Sequence, residues 1–374
     1  MVGRRRRWPA STVPGRRILA LTLSVAVLSV AGAGCRQASY YTQPSGGMRI
    51  GLAYSQSGPQ DGSVNQDAKT AVMDFVYGSG TPVSAVHEFA AVPDESADDK
   101  YDRLIILCQS GYNPVIAIGD LYAGTDPQNG PVARAARACP ATHFAVVGDP
   151  TVDAPNVANL VFADAQGAYL MGVVAARTSR THQVGFLALC HTAPFTAAEA
   201  GYRAGAEAGS PGTQVSAKYL APPPAVPPGT EQDSTCPDGA GERDARLAAD
   251  GLYGGGADVV YQAVGPAGSP GVFASAKAHG GFAIGTGGDQ YDTADPGLRD
   301  VVLTSQVDRV DSAVGDFLHS VAKGAFRSGT TRYDVGNGGV RYTTTGGRID
   351  ALVPVIEGYR KRIADGSLAV PGSP

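Results

Sequence analysis

Polar and aromatic residues suited to holding a small molecule recur just after short apolar runs. Ser55, Gln56, Asp61 and Asn65 follow MRIGLAY, Asp120 and Tyr122 follow PVIAIG, Asp149 follows HFAVVG, and His191 and Phe195 follow QVGFLALC. Carboxylates, amides and hydroxyls make hydrogen bonds, and Tyr122 or Phe195 could stack on a planar group, so the chemistry on offer is reversible binding. Gly265 and the GTGG run at 285–288 would let backbone approach a ligand, or equally serve as tight turns. Asp61 and Ser63 also suit local capping of the helix that begins NQDAKTAV. Enzyme motifs are missing: there is no GxSxG elbow, no HExxH and no CxxC pair, and GTGG lacks the GxxxxGK[ST] spacing of a phosphate loop. The reading is therefore a non-enzyme with no cofactor and no metal.

The elements that would position these residues alternate. MRIGLAYS reads as a strand and NQDAKTAVMDFVY as a helix; PVSAVHEFAAV, PVIAIGD, HFAVVGD and NVANLVF are further strands separated by the helices SADDKYDRLIILCQSG and GPVARAARAC. A second series follows, with strands QVGFLAL, TQVSAKYL, ADVVYQAV, GFAIGTG and VVLTSQV between helical segments. Apolar strands alternating with helices predict parallel sheets covered on both faces. Two such halves predict a bilobed α/β chain whose cleft lies at the carboxyl ends of the strands. The stretch APPPAVPPGTEQDSTCPDG, within 221–239, is Pro-rich and aperiodic and reads as an exposed insertion.

The N-terminus carries a different signal. Six arginines precede Cys35, no acidic residue does, and 17 uncharged residues run from Ile18 to Gly34. A basic region, an apolar run and terminal small residues describe a secretory signal. Gly32-Ala33-Gly34-Cys35 resembles a bacterial lipobox, with Cys35 the lipidated first residue and 35–47 a polar tether. Arg16 and Arg17 resemble a twin-arginine signal, so both export routes stay open. Without residues 1–34 the chain holds 24 basic and 34 acidic residues, a net charge of −10, which argues against nucleic acid as a partner. Cys108, Cys139, Cys190 and Cys236 remain, and four cysteines allow three pairings. Pairing within each lobe favours Cys108–Cys139 and Cys190–Cys236, with a simply buried Cys108 thiol as the alternative.

Several motifs stand together in a recognisable order. MRIGLAYSQSGPQDGSVNQDAKTAV, NPVIAIGD, HFAVVGD, PNVANLVFADAQGAYLMGVVAAR, EAGYRAGAEA, GADVVYQAVG, AIGTGGDQ, VVLTSQVDRVDSAV and IADGSLAVP resemble the basic membrane protein family, the PnrA-like substrate-binding lipoproteins of ABC importers, from about residue 48 to 371. The resemblance implies a type I periplasmic-binding fold crossed three times, near Val161, Gln306 and Arg332. Lobe I would span 48–161 plus about 307–331, and lobe II 162–306 plus about 332–366. It further implies a nucleoside ligand, with aromatic rings on the base and carboxylates plus a lysine on the sugar. Asn65, Gln66, Gly265, Asp289, Gln290 and Arg309 match the family pattern. Ser55 and Gly287 stand where the family has aspartates, Val64 and Ala198 where it has aromatics, and Asp308 where it has the lysine.

The function so implied is an extracytoplasmic solute-binding lipoprotein that captures a small polar ligand, nucleoside-like with altered specificity, and delivers it to an ABC importer. A ligand sensor partnering a signalling protein, or an exported enzyme on the same fold, is the alternative. Its partners would be the small-molecule ligand, an ABC permease and the membrane through a lipid anchor, with the protein itself a monomer on the outer face of the cell membrane. Asp308 would either pair with Arg309 or meet a donor-rich or cationic ligand, because a buried carboxylate needs a partner. Replacing Cys35 with alanine should leave the protein uncleaved, or released without lipid. Mass spectrometry of the native protein checks this, and an unmodified Cys35 at the mature N-terminus would contradict it.

Overall fold

The computed structural model describes residues 48–55, 58–92, 95–221 and 240–372. The signal, Cys35, the tether and most of the Pro-rich insertion, including Cys236, lie outside the described residues.

Within them the chain alternates as its apolar periodicity requires. The first series runs β1 (Ile50–Ala53), α1 (Val64–Ser79), β2 (Val86–Phe89), α2 (Ala97–Gln109), β3 (Val115–Ile118), α3 (Pro131–Ala138), β4 (Phe144–Val147) and β5 (Val157–Phe162). The second runs α4 (Asp164–Thr178), β6 (Gln183–Ala188), α5 (Ala193–Gly209), β7 (Gln214–Tyr219), α6 (Glu242–Gly254), β8 (Val259–Ala263), α7 (Ser269–His279), β9 (Phe282–Gly287), the short α8 (Gln290–Thr293) and β10 (Val302–Asp308). The chain closes with α9 (Val310–Ala322), β11 (Gly329–Tyr333), β12 (Val340–Tyr342) and α10 (Val353–Ala364).

Two six-stranded sheets result, ordered β2-β1-β3-β4-β5-β11 and β7-β6-β8-β9-β10-β12. Their inner strands are apolar on both faces: β1, β3 and β4 are buried at every position. In lobe I, α1 and α9 cover one face of the first sheet and α2 and α3 the other. In lobe II, α4, α5 and α10 cover one face of the second sheet and α6 and α7 the other. The chain passes between lobes after β5, after β10 and between β11 and β12.

The second sheet departs from the all-parallel expectation, because β12 pairs antiparallel with β10. The third crossing explains it. β11 ends at Tyr333 on the carboxyl edge of its sheet, and β12 starts at Val340 beside Asp308, the carboxyl end of β10. A strand that enters at that edge can only run back down the sheet.

Cys108 and Cys139 are joined by a disulfide with S–S 2.06 Å, tying α2 to the end of α3. Cys190 is also disulfide-bonded. The opening of α2 is fixed by a reciprocal cap in which the Ser96 hydroxyl accepts from the Asp99 N–H and the Asp99 carboxylate accepts from the Ser96 N–H.

Helices α4 and α5 pack backbone against backbone. A Cβ on Gly205 would sit 1.9 Å from the Tyr169 carbonyl oxygen, and one on Gly172 2.1 Å from that of Tyr202. Both obstacles are backbone, so a side chain could be admitted only by separating the helices. Gly205→Ala should therefore cost about 2 kcal/mol or more, at the upper end of overpacking penalties. Chemical denaturation measures this, and a midpoint equal to that of the unmutated protein would contradict the packing described.

Candidate functional site

Because the chain leaves each sheet at its carboxyl edge, the carboxyl ends of strands from both lobes face one another. Between them lies a cleft of about 340 Å³. Lobe I contributes Ser55 after β1, Asp61 and Ser63 before α1, Gly119 and Asp120 after β3, and Phe162 at the end of β5. Lobe II contributes Asp164 at the start of α4, Phe195 and Ala198 from α5, Tyr261 from β8, Thr286 and Gly287 from β9, and Gln306 and Asp308 from β10.

The polar centre is organised by one amide. Gln306 accepts at Oε1 from the Tyr261 hydroxyl at 2.8 Å and donates from Nε2 to Asp164 Oδ1 at 3.1 Å and, more weakly, to Asp308 Oδ1 at 3.4 Å. Its position depends on Gly167 of α4, where a Cβ would lie 2.4 Å from the Gln306 side-chain carbonyl carbon. Asp164 and Asp308 meet at the same Gln306 amide, so each carboxyl lies in the field of the other. Burial raises both carboxyls above the usual range, and the charge of Asp164 raises Asp308 further. Of the alternatives open for Asp308, the ion pair with Arg309 is not made: that guanidinium grips Asp311 through two bonds of 2.7 Å.

Asp61 has two roles. Its carboxylate accepts from the N–H groups of Ser63 (2.8 Å), Gln66 (3.1 Å) and Asn65 (3.3 Å), fixing the start of α1, while the side chain also lines the cleft. Capping and exposure to the cleft are thus compatible. Ser63 makes no side-chain cap; its hydroxyl faces lobe II. A Cβ on Gly287 would lie 2.1 Å from Ser63 Oγ, and one on Gly288 2.4 Å from the Gly62 carbonyl oxygen, so the lobes touch here. Gly287 also has φ +90°, a conformation that side chains rarely adopt.

Of the residues singled out from sequence, Ser55, Asp120, Phe195, Gly265, Gly287 and Asp308 line the cleft. Gln56 lies outside the described residues. Five others are placed elsewhere. Asn65 is fully buried and exchanges hydrogen bonds with Ser55, bracing the first turn from behind. Tyr122 packs into the core of lobe I and donates to the Tyr54 carbonyl, because the turn after β3 folds back over the sheet. Asp149 closes its own turn by accepting from the Thr151 N–H at 2.6 Å. His191 is exposed and packs edge-on to Tyr219 at 4.7 Å. Asp289 caps α8 and accepts from the Thr345 hydroxyl. Phe162, Asp164 and Tyr261 line the cleft without having been singled out from sequence, and Gln306 was read only as a crossing point. The available signal was the topology itself: residues flanking a crossing between lobes must border the cleft.

Two covered sheets, crossed three times and bordering a largely apolar cleft that also carries acidic side chains, define a ligand-binding protein of the type I periplasmic-binding fold. An ABC transporter system solute-binding protein from Conexibacter woesei shares this fold, with TM-score 0.66 and 21% identity over 87% of this chain and 99% of that one. The chain belongs to the family of PnrA-like ABC transporter substrate-binding proteins, whose model matches residues 63–222 and 236–371. It is 28% identical to a CD4+ T-cell-stimulating antigen of Listeria innocua, over 96% of this chain and 99% of that protein. It is equally 28% identical to the ABC transporter nucleoside-binding protein BmpA of Lactococcus lactis, over 95% of this chain and 99% of that one.

Asp67, one turn into α1, reports the electrostatics of this region. Burial, then the charges of Asp311 and Asp61, push its carboxyl up to about 7, against the opposing pull of Arg309. The folded state thus keeps a proton that the unfolded state loses near pH 4, and stability falls as pH rises from about 4 to about 7. Asp67→Asn should raise the melting temperature by a few degrees at pH 8, discounted for partial solvent exposure, with the gain vanishing towards pH 4. Melting curves across that range decide it; a gain independent of pH would show that the charge is not the cause.

Proposed function

We propose that this solute-binding protein is exported, lipid-anchored through Cys35, and captures a small polar ligand with a planar ring, nucleoside-like in shape, for delivery to an ABC importer. The observation that carries this reading is the convergence of both lobes on one cleft. Phe162 from lobe I and Phe195 from lobe II supply apolar walls, and polar side chains from both lobes are gathered around the Gln306 amide. At about 340 Å³ the space lies near the lower end of the roughly 300–1,000 Å³ typical of small-ligand sites. The nucleoside-binding description of the Lactococcus lactis relative supports the ligand class. The lipobox-like Gly32-Ala33-Gly34-Cys35 and the arginines before it support export and anchoring.

The specificity differs from an ordinary nucleoside site. Position 287 cannot present a carboxylate to a sugar, since any side chain there would meet Ser63. Position 308 presents an acid in place of the lysine that the family resemblance implies. A thermal-shift screen of nucleosides, bases, sugars and amino compounds, followed by calorimetry on the hits, tests the reading. One compound class should raise the melting temperature with saturation and one-to-one stoichiometry. Phe195→Ala should weaken that compound at least about tenfold, roughly 1.4 kcal/mol. An absence of any stabilising solute would overturn the proposal.

A further inference from the structure

The cleft is a binding site on grounds independent of its charge, namely its enclosure between two lobes and the family to which the chain belongs. The charge within it then selects the ligand. Four carboxylates, those of Asp61, Asp120, Asp164 and Asp308, line this one space, and among the described residues no lysine, arginine or histidine lines it with them. The charged groups nearby do not compensate. Arg309 is committed to Asp311 through two 2.7 Å bonds, Lys69 pairs with Glu88 at 3.0 Å, and Asp67 adds a further negative charge behind Asp308.

The side-chain donors that line the cleft are neutral, chiefly the hydroxyls of Ser55, Ser63, Thr192 and Thr286. Asp61 is satisfied by three backbone N–H groups. The Asp164–Asp308 pair receives only the Gln306 amide, at 3.1 and 3.4 Å, and that amide's oxygen is already taken by Tyr261. Two carboxyls in contact cannot both ionise without a cation between them, and in its absence they share a proton. An anionic ligand would meet repulsion from all four acids. A neutral sugar would find acceptors but none of the charged donors that hold a hydroxyl's lone pairs.

Taking the cleft as the solute site just described, we propose that its ligand carries a cationic nitrogen, an ammonium or amidinium group, seated on the Asp164–Asp308 pair with the rest of the molecule between Phe162 and Phe195. The aromatic walls suit this pose, because ring faces attract cations as well as apolar or planar groups. Binding would replace the shared proton by the ligand's charge, so the protonated carboxyl gives its proton to solvent as the cation arrives. The facing groups set the sign. Asp61 and Asp67 from α1, together with Asp120 after β3, favour a cation at any pH above their own titration; Arg309 opposes it weakly, because Asp311 neutralises it; and Tyr261 remains neutral. Burial and mutual repulsion raise both carboxyls, so affinity for the cation should rise with pH as the pair gives up its proton, with proton release on binding.

The test compares matched probes by calorimetry in two buffers of different ionisation enthalpy. Adenosine and inosine are the neutral probes, 5′-amino-5′-deoxyadenosine, putrescine and agmatine the cationic ones, and AMP and glutamate the anionic ones. At least one cationic probe should bind about tenfold or more tighter than any neutral or anionic one and release protons. Asp308→Asn and Asp164→Asn should each remove that advantage. An amide in place of either buried acid removes the cost of holding a raised carboxyl and should leave the ligand-free melting temperature unchanged or raised, which separates lost binding from lost folding. Tight binding of inosine or adenosine, equal to that of the cations, would overturn the inference while leaving the solute-binding reading intact. So would the absence of any response to cations at millimolar concentration. The solute-binding reading falls only if the wider screen of solutes also yields nothing.

Discussion

The Gln306 side chain joins the two crossings that bring the lobes together. Asp164 lies immediately after the first crossing and Asp308 immediately before the second, and the Gln306 amide touches both while Tyr261 holds it from the floor of lobe II. Gly167 leaves the space in which the amide sits. A buried amide with both its oxygen and its nitrogen engaged has one orientation, so it fixes the carboxylates on which the chemistry of the cleft depends. The sheets supply the frame, and this small network fixes what the frame presents.

Much of the architecture was legible in the residues. Two-sided apolar runs such as VIAI of β3 and FAVV of β4 specify buried parallel strands, and the Pro and Gly residues between them mark the turns. The direction of β12 was not legible, because three residues carry too little pattern to fix a direction and the antiparallel pairing follows from where the chain enters the sheet. The site was read less well, and for a physical reason. Placement after a strand puts a residue near the carboxyl edge, but the turn that follows decides where the side chain points. After β3 that turn sends Tyr122 into the core and leaves Asp120 in the cleft, two residues apart. Asp289 was drawn away by a helix cap in the same way. Asp164 was overlooked because an acidic residue opening a helix reads as a dipole partner, and only the crossing shows that this helix start is also a wall of the cleft.

Gly287 shows how closure and specificity constrain each other. Its positive φ and the 2.1 Å approach to Ser63 make it part of the contact between the lobes. A carboxylate at that position, as the family resemblance implies, would require lobe I to stand further off. This chain places acids on residues that border the crossings, Asp164 and Asp308, where they line the cleft without separating the lobes.

The same arrangement bears on how the lobes come together. None of the ion pairs among the described residues joins one lobe to the other: Lys69–Glu88 and Arg309–Asp311 lie within lobe I, Arg203–Glu199 and Arg348–Asp300 within lobe II. The contact at Gly62–Ser63 and Gly287–Gly288 is made by backbone and a hydroxyl, which carries little energy of its own. Closing an empty cleft also gathers like charges, since Asp61 and Asp67 from one lobe approach Asp164 and Asp308 at the other. The free-energy balance of closure is thus set by what fills the cleft. A ligand that neutralises these carboxylates converts the repulsion into attraction, and its differential affinity for the closed form drives the change in population. Acids placed at the crossings thus make the approach of the lobes sensitive to whatever charge enters the cleft.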